Sequence, residues 1–219
     1  MSRLEPVNAE EDALRQRAWW GRTLQVLWRP RDVFLALRDD DPDDLAARQE
    51  PILAIAILAG MGGVLITPAW GRLQDDGSVD ALVVAVVTFV GGGFYGAAGY
   101  ALLGLAVWLG MRGVGVLEPY RSARHVVAFS AVPLALSLVV TAPVAIAAFG
   151  RDFFASGGSD EGTGRALVVG LGLAFVAWTL ALLAVGLRTT YELPWRGVAG
   201  AVALAGVLVA AFAVLPSAL

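Results

Sequence analysis

Hydrophobic residues are grouped in long blocks along this chain instead of alternating with polar ones. About fifty residues of mixed charge come first, and five apolar runs separated by short polar stretches follow. Runs of this length and apolarity are typical of transmembrane helices. We therefore predict an all-α, polytopic membrane bundle of five transmembrane helices over residues 51–219. The predicted spans are 52–69, 81–111, 125–149, 166–187 and 198–215.

The second run, 81–111, contains no charged residue and is unusually long. As one helix it would measure roughly 46 Å, against a hydrocarbon thickness of roughly 30 Å, so it must tilt, protrude or break. Gly91, Gly92 and Gly93 form the weakest point. We expect a single crossing with a bent or protruding outer end, and a break at the glycine run stays open.

The arginines indicate the orientation of the bundle. Arginine-rich short loops stay on the cytoplasmic side. With five crossings and an inner N-terminus, thirteen of the sixteen arginines lie inside. If the second run were a re-entrant hairpin, the loop with Arg112, Arg121 and Arg124 would lie outside. We therefore predict a cell (inner) membrane protein with a cytoplasmic N-terminus and an outer C-terminus.

Residues 1–50 form a cytoplasmic arm before the membrane domain. Asn8 and Glu11 have the spacing of a helix N-cap and its acidic partner, and the helix they start carries apolar residues on one broad side. Pro30 separates it from a second short helix. We expect the amphipathic arm to lie on the membrane surface; docking on a protein partner is the alternative. The candidate contact residues are Trp19, Trp20, Trp28 and Phe34.

The aspartates between Asp39 and Asp44 could be read as a divalent-cation site. We interpret them instead as a turn and a helix N-terminus, where acidic groups cap free N–H groups. His125, the only histidine, lies at the cytoplasmic start of a span, where we expect its ring to reach water.

Composition restricts the chemistry. The chain is 58% hydrophobic with a mean hydropathy of +0.69, and it lacks cysteine. A disulfide framework, a thiolate site and a cysteine nucleophile are therefore excluded, and one histidine makes a transition-metal site an unfavourable interpretation. The middle of every predicted span lacks charged residues, which coupled pumps and many ion pathways need. We expect no cofactor, no metal, no nucleic acid and no catalytic residue.

Small residues recur at helical spacing in the second span, as in Gly92 and Gly96, with Gly99 beyond. This spacing favours close packing of helix backbones, within one chain or between copies. The alternative is a flexible element that lines a cavity. In the third span, Pro133 and Pro143 predict kinks. We expect the freed carbonyls to be met by neighbouring helices or by a hydroxyl group, for which the candidates are Ser130, Ser137 and Thr141.

Two motifs, RPRDVF-x-x-L (Arg29 to Leu37) and YRSARHVVAFSAVP (Tyr120 to Pro133), together with the five-span layout, resemble the Yip family of Ypt/Rab-interacting membrane proteins. The resemblance covers about 30–215 and implies a five-span fold without catalytic residues. Eukaryotic members are associated with Rab-type GTPases and vesicle traffic. Every basic residue here is arginine, which indicates a prokaryotic member, so that role is not carried over.

Two functional hypotheses follow. The first is a non-enzymatic scaffold or adaptor that organises a complex or the bilayer, whose partners are the lipid bilayer and a protein or a second copy bound through small-residue faces. The second is a permease, channel or accessory transporter subunit. It would use Gly91 to Gly93 and the kinks at Pro133 and Pro143 to form a cavity.

Overall fold

The computed structural model describes residues 9–38, 41–65, 80–149 and 162–214. Every regular element in these ranges is an α-helix, which confirms the predicted all-α class. Some predicted features lie outside the described residues: the cap at Asn8, the acids Asp39 and Asp40, the end of the first span at Pro68 and Trp70, the loops 71–79 and 151–161, and the last residues of the fifth span.

The arm consists of α1 (Ala9–Gln25), α2 (Pro30–Ala36) and α3 (Pro42–Ala47). Helices α2 and α3 begin at prolines, which the first helical position tolerates because its N–H would have no intrahelical partner. The Asp41 carboxylate accepts a hydrogen bond from the Asp43 N–H at 2.9 Å and caps α3. The described part of the aspartate cluster is therefore a helix N-terminus, as expected.

Six helices form the membrane domain. They are α4 (Gln49–Val64), α5 (Ala81–Gly113), α6 (Tyr120–Ser130), α7 (Val132–Phe149), α8 (Gly162–Tyr191) and α9 (Trp195–Val214). Four stretches are long and apolar enough to cross a membrane: Pro42–Val64, Leu82–Gly113, Tyr120–Phe149 and Ala166–Tyr191. Helix α9 adds a fifth apolar helix, and α6 with α7 corresponds to the predicted third span.

Helix α5 continues without interruption through Gly91, Gly92 and Gly93. The long apolar run is therefore one helix of 33 residues, or roughly 50 Å. In hydrocarbon every backbone N–H and C=O needs an internal partner, so a continuous helix is favoured even where glycine lowers helix propensity. A single helix of this length exceeds the hydrocarbon core and must tilt or protrude.

The third span is interrupted at Ala131, two residues before Pro133. Pro143, in contrast, lies inside α7. Of the two predicted kinks, only the first coincides with an end of the helix.

The hydroxyl groups of the third span do not have the role we expected. The Ser130 and Ser137 hydroxyls each donate to a carbonyl of their own helix, four and three residues back, at 2.7 and 2.6 Å. The carbonyls freed by Pro133 and Pro143 are different ones, so neither serine meets them, and the alternative of a neighbouring helix stays a prediction. Thr141 is buried and makes no hydrogen bond within the described residues.

Helix α4 packs most extensively against α5 and then against α7, while α5 also contacts α6 and α9. Helix α8 lies against α7, α6 and the arm helix α2. The main hydrophobic core joins the arm to one end of the bundle, which we call the arm end. A second, small cluster of Leu65, Val84 and Ala145 lies elsewhere on the spans.

Candidate functional site

The glycines of α5 form a close contact with α4. A Cβ at Gly96 would lie 2.9 Å from the Gly60 Cα and would overlap the Ala56 carbonyl, and a Cβ at Gly92 would lie 2.8 Å from the Met61 Cα. Backbone therefore meets backbone at this seam, the arrangement that small residues four apart permit in lipid. Gly60 was missed by sequence reasoning, although Ala56 and Gly60 show the same spacing.

The other candidate glycines lie differently. A Cβ added at Gly93 would lie 3.5 Å from the side chains of Ile57 and Met61, an ordinary van der Waals distance. A Cβ at Gly91 or Gly99 would meet nothing within 4 Å. The glycine run thus contributes unequally to packing.

An apolar groove of about 90 Å³ lies between α4, α5 and the α6–α7 junction. Gly96 and Gly99 line its α5 wall together with Tyr95 and Tyr100. Pro133 and Pro143 are not among its lining residues. The groove is too small and too apolar to resemble an aqueous pathway.

Two of the four candidate contact residues of the arm are buried. Trp19 is 0% exposed, with its ring 5.7 Å from that of Phe129. Phe34 is also 0% exposed and lies against Gly186 of α8, where a Cβ would be 2.8 Å from its Cε1. The Thr190 hydroxyl donates to the Phe34 carbonyl at 3.2 Å. The prediction that Trp19 and Phe34 contact lipid or a partner was therefore wrong, because both are used to dock the arm.

The other two candidates remain on the surface. Trp20 is 42% exposed and Trp28 is 65% exposed, and Leu14 and Leu24 of α1 are more than half exposed. Helix α1 therefore has one face in the core and one apolar face that no described residue covers. We call the exposed residues Leu14, Trp20, Leu24 and Trp28 the outer face of the arm.

Arginines and aromatic rings meet at the arm end. The Arg124 guanidinium lies over the rings of Tyr120 and Tyr100, at 4.8 and 5.3 Å from their centroids. The Arg112 guanidinium lies 4.4 Å from the centroid of the Trp108 ring, a distance typical of a cation–π contact. A similar pair joins Arg188 to Trp195 at 4.6 Å. Such pairs suit the boundary between hydrocarbon and headgroups.

Two buried polar residues lie at the arm end, and for His125 the prediction was wrong. His125 is 1% exposed instead of reaching water, and Arg48, Arg121 and Arg124 all lie near its ring. Arg48 is 2% exposed, lies below the Trp19 ring at 5.4 Å and donates to the Leu37 carbonyl at 3.5 Å. Docking of the arm covers Arg48, which no local sequence signal could show.

Surface polar contacts also hold the arm. An Arg38 guanidinium nitrogen lies 2.9 Å from a Glu192 carboxylate oxygen in the turn between α8 and α9. Glu192 has a φ of 54°, a left-handed conformation that is uncommon for residues other than glycine. Ser122 and Tyr191 share a hydrogen bond of 2.8 Å beside it. The Arg38–Glu192 pair connects the end of α2 to the α8–α9 turn, and the Ser122–Tyr191 bond connects α6 to the end of α8.

Across the described ranges, no group of three or more His, Asp or Glu residues has an arrangement suited to a metal ion. The described residues instead form a docked arm, a tight glycine seam between α4 and α5, and an apolar groove.

Comparison with protein-family models decides the family. The Yip1 domain model matches residues 24–216, which includes part of α1, both remaining arm helices and the whole described membrane domain. This chain belongs to the Yip1 domain family. The family assignment agrees with the resemblance carried by Arg29 to Leu37 and Tyr120 to Pro133. No curated protein and no solved structure matches the Yip1-domain chain.

Proposed function

We propose that this Yip1-domain protein is a non-enzymatic membrane adaptor in which the bundle anchors the arm and the outer face of the arm contacts other molecules at the membrane surface. The observation that carries the proposal is the division of α1 into a buried face with Trp19 and an exposed face with Trp20. Contiguous apolar patches on a protein surface often mark sites that bind a protein or a membrane.

The charges around the outer face favour the headgroup region of a bilayer as its surroundings. Arg17 lies among the apolar residues of this face, and Arg29 and Arg31 follow Trp28; all three arginines are exposed. Helices that combine tryptophan, leucine and arginine in this way lie at the membrane boundary. We further propose that the arm end faces the cytoplasm of a cell (inner) membrane, because thirteen of the sixteen arginines would then lie inside.

The double variant Trp20→Ser with Trp28→Ser tests the adaptor role. It keeps Trp19, so the arm can still dock on the hydrophobic core. We expect it to lose neighbours in proximity labelling and to change its distribution in the membrane, at an unchanged amount of folded protein. Leu117→Ser is the matched control, since Leu117 is 81% exposed but lies outside the arm. Unchanged neighbours and an unchanged distribution in the double variant would contradict the proposal.

The permease hypothesis receives less support. It required the glycine run to be a flexible wall of a cavity, whereas Gly92 and Gly96 pack directly on the backbone of α4. Solute flux into liposomes by the purified protein would revive it.

A further inference from the structure

The groove between α4, α5 and the α6–α7 junction has walls made mostly of small side chains. Its lining residues on α4 are Ala56, Ala59, Gly60 and Gly63. The groove is partly open to the outside of the bundle, and apart from the two tyrosine hydroxyls its lining side chains are apolar. Since these helices cross a membrane, the molecules that reach such an opening are acyl chains and not water.

A charged residue, Arg124, lies on the arm-end side of this groove and on the same face of α6 as its lining residues. Val127 and Ala128 of α6 and Ala131 of the α6–α7 junction line the groove, and Arg124 precedes them by three, four and seven residues. Residues at these spacings share one face of a helix. Arg124 therefore lies about one turn closer to the arm end than the groove. Tyr100, under the Arg124 guanidinium, also lines the groove.

The position of Arg124 is built into the packing. Its stem crosses α5 at Gly104, where a Cβ would lie 3.2 Å from the Arg124 Cα. No ion pair within the described residues includes Arg124, and its Nε makes no hydrogen bond there. A guanidinium that has no carboxylate partner at the boundary of hydrocarbon suits a phosphate, which it can bind through its terminal N–H groups.

We propose that this groove binds an anionic glycerophospholipid, with part of one acyl chain between α4, α5 and the α6–α7 junction and the phosphate at Arg124. The charge of Arg124 complements the headgroup, and the apolar walls complement the chain. An engineered apolar cavity of about 150 Å³ holds one benzene molecule. A partly open groove of about 90 Å³ therefore suits a short segment of a chain that continues into the bilayer.

The full-length protein can be tested in vesicles of phosphatidylcholine that contain phosphatidylglycerol with a photoactivatable group in one acyl chain. We expect the crosslinks to map to 95–103 and 127–134. Unlabelled phosphatidylglycerol should compete about fivefold better than phosphatidylcholine, the effect of one arginine near an anionic lipid. Equal competition by the two lipids, or crosslinks spread evenly over the outer surface of the bundle, would overturn the proposal.

Two glycines of α5 supply a matched pair of variants. Gly99 and Gly91 both have open space where a Cβ would be, but only Gly99 lines the groove. We expect Gly99→Phe to lower crosslinking at 95–103 at least about fivefold and Gly91→Phe to leave it unchanged, with the same thermal unfolding in detergent. If Gly99→Phe is crosslinked as strongly as the wild type, the site is refuted. If Gly99→Phe does not fold, the lipid competition on the wild-type protein provides the test.

The variant Arg124→Gln separates the headgroup from the chain. We expect it to lose the preference for phosphatidylglycerol over phosphatidylcholine, by about fivefold, while crosslinks still map to the groove. A preference that persists in Arg124→Gln would show that the charge of Arg124 does not select the anionic headgroup. Because this lipid site lies away from the outer face of the arm, its failure would leave the adaptor proposal untouched.

Discussion

At the scale of single residues, the seam between Gly96 and Gly60 is the most constrained point of the bundle. We expect Gly96→Ala to destabilise the protein by about 1–3 kcal/mol, because the added methyl overlaps the Ala56 carbonyl and the two helices must separate. In detergent the Tm should fall by roughly 5 °C. Gly91→Ala, with open space around its new methyl, is the control and should unfold like the wild type.

Two adjacent tryptophans provide a second residue-scale prediction. Truncation of a large buried aromatic costs about 3–5 kcal/mol, whereas an exposed substitution usually costs less than about 0.5 kcal/mol. We therefore expect Trp19→Ala to abolish most of the folded protein and Trp20→Ala to leave its thermal unfolding unchanged. Equal stability of the two variants would show that the arm does not dock through Trp19.

These residues also show where sequence reasoning ends. The spacing of Gly92 and Gly96 predicts a close helix contact, and the contact exists, but its partner Gly60 depends on which helix lies alongside. A helical wheel places Trp20 on the broad apolar side of α1, but it places Trp19 on the opposite, more polar side with Arg15 and Arg22. Only the packing of α1 on the bundle shows that the side with Trp19 is the buried one, since Phe129 and Arg48 contact the Trp19 ring. His125 was placed incorrectly for the same reason.

At the scale of helices, Phe34 is the α2 side chain that packs directly against the backbone of α8 at Gly186. Phe34 fills the space that Gly186 leaves, whereas the next residue, Leu35, is half exposed. We expect Phe34→Ala to speed hydrogen exchange throughout α2 and to leave α5 protected, because local opening of a docked element does not require the bundle to unfold. Leu35→Ala should exchange like the wild type. Unchanged exchange in Phe34→Ala would mean that other contacts hold the arm.

Helix boundaries were predictable wherever local chemistry decides them. Pro30 and Pro42 begin α2 and α3, and each long apolar run overlaps an apolar helix of the membrane domain. Helix α5 shows the limit, since glycine propensity alone left a break open and the need to satisfy backbone groups in lipid removed it. The interruption at Ala131 also could not be assigned, because two prolines offered two equal candidates.

At the scale of the whole molecule, the polar contacts of the described residues concentrate at the arm end. The arm, the loop between α5 and α6 and the turn between α8 and α9 all lie at the arm end. The large buried side chains Trp19, Arg48 and Phe34 lie there too. The bundle is thus capped at one end by its own N-terminal segment, and an adaptor that presents the outer face of the arm needs this end to face its partners.

The absence of cysteine makes that orientation directly measurable, since any introduced thiol is the only one in the chain. We expect Leu117→Cys, in the exposed loop between α5 and α6, to react with a membrane-impermeant maleimide only after the cells are opened. Ser78→Cys, before α5, should react in intact cells, because one crossing by α5 puts the two positions on opposite sides. Labelling of Leu117→Cys in intact cells would show that the bundle has the opposite orientation, with the outer face of the arm outside the cytoplasm.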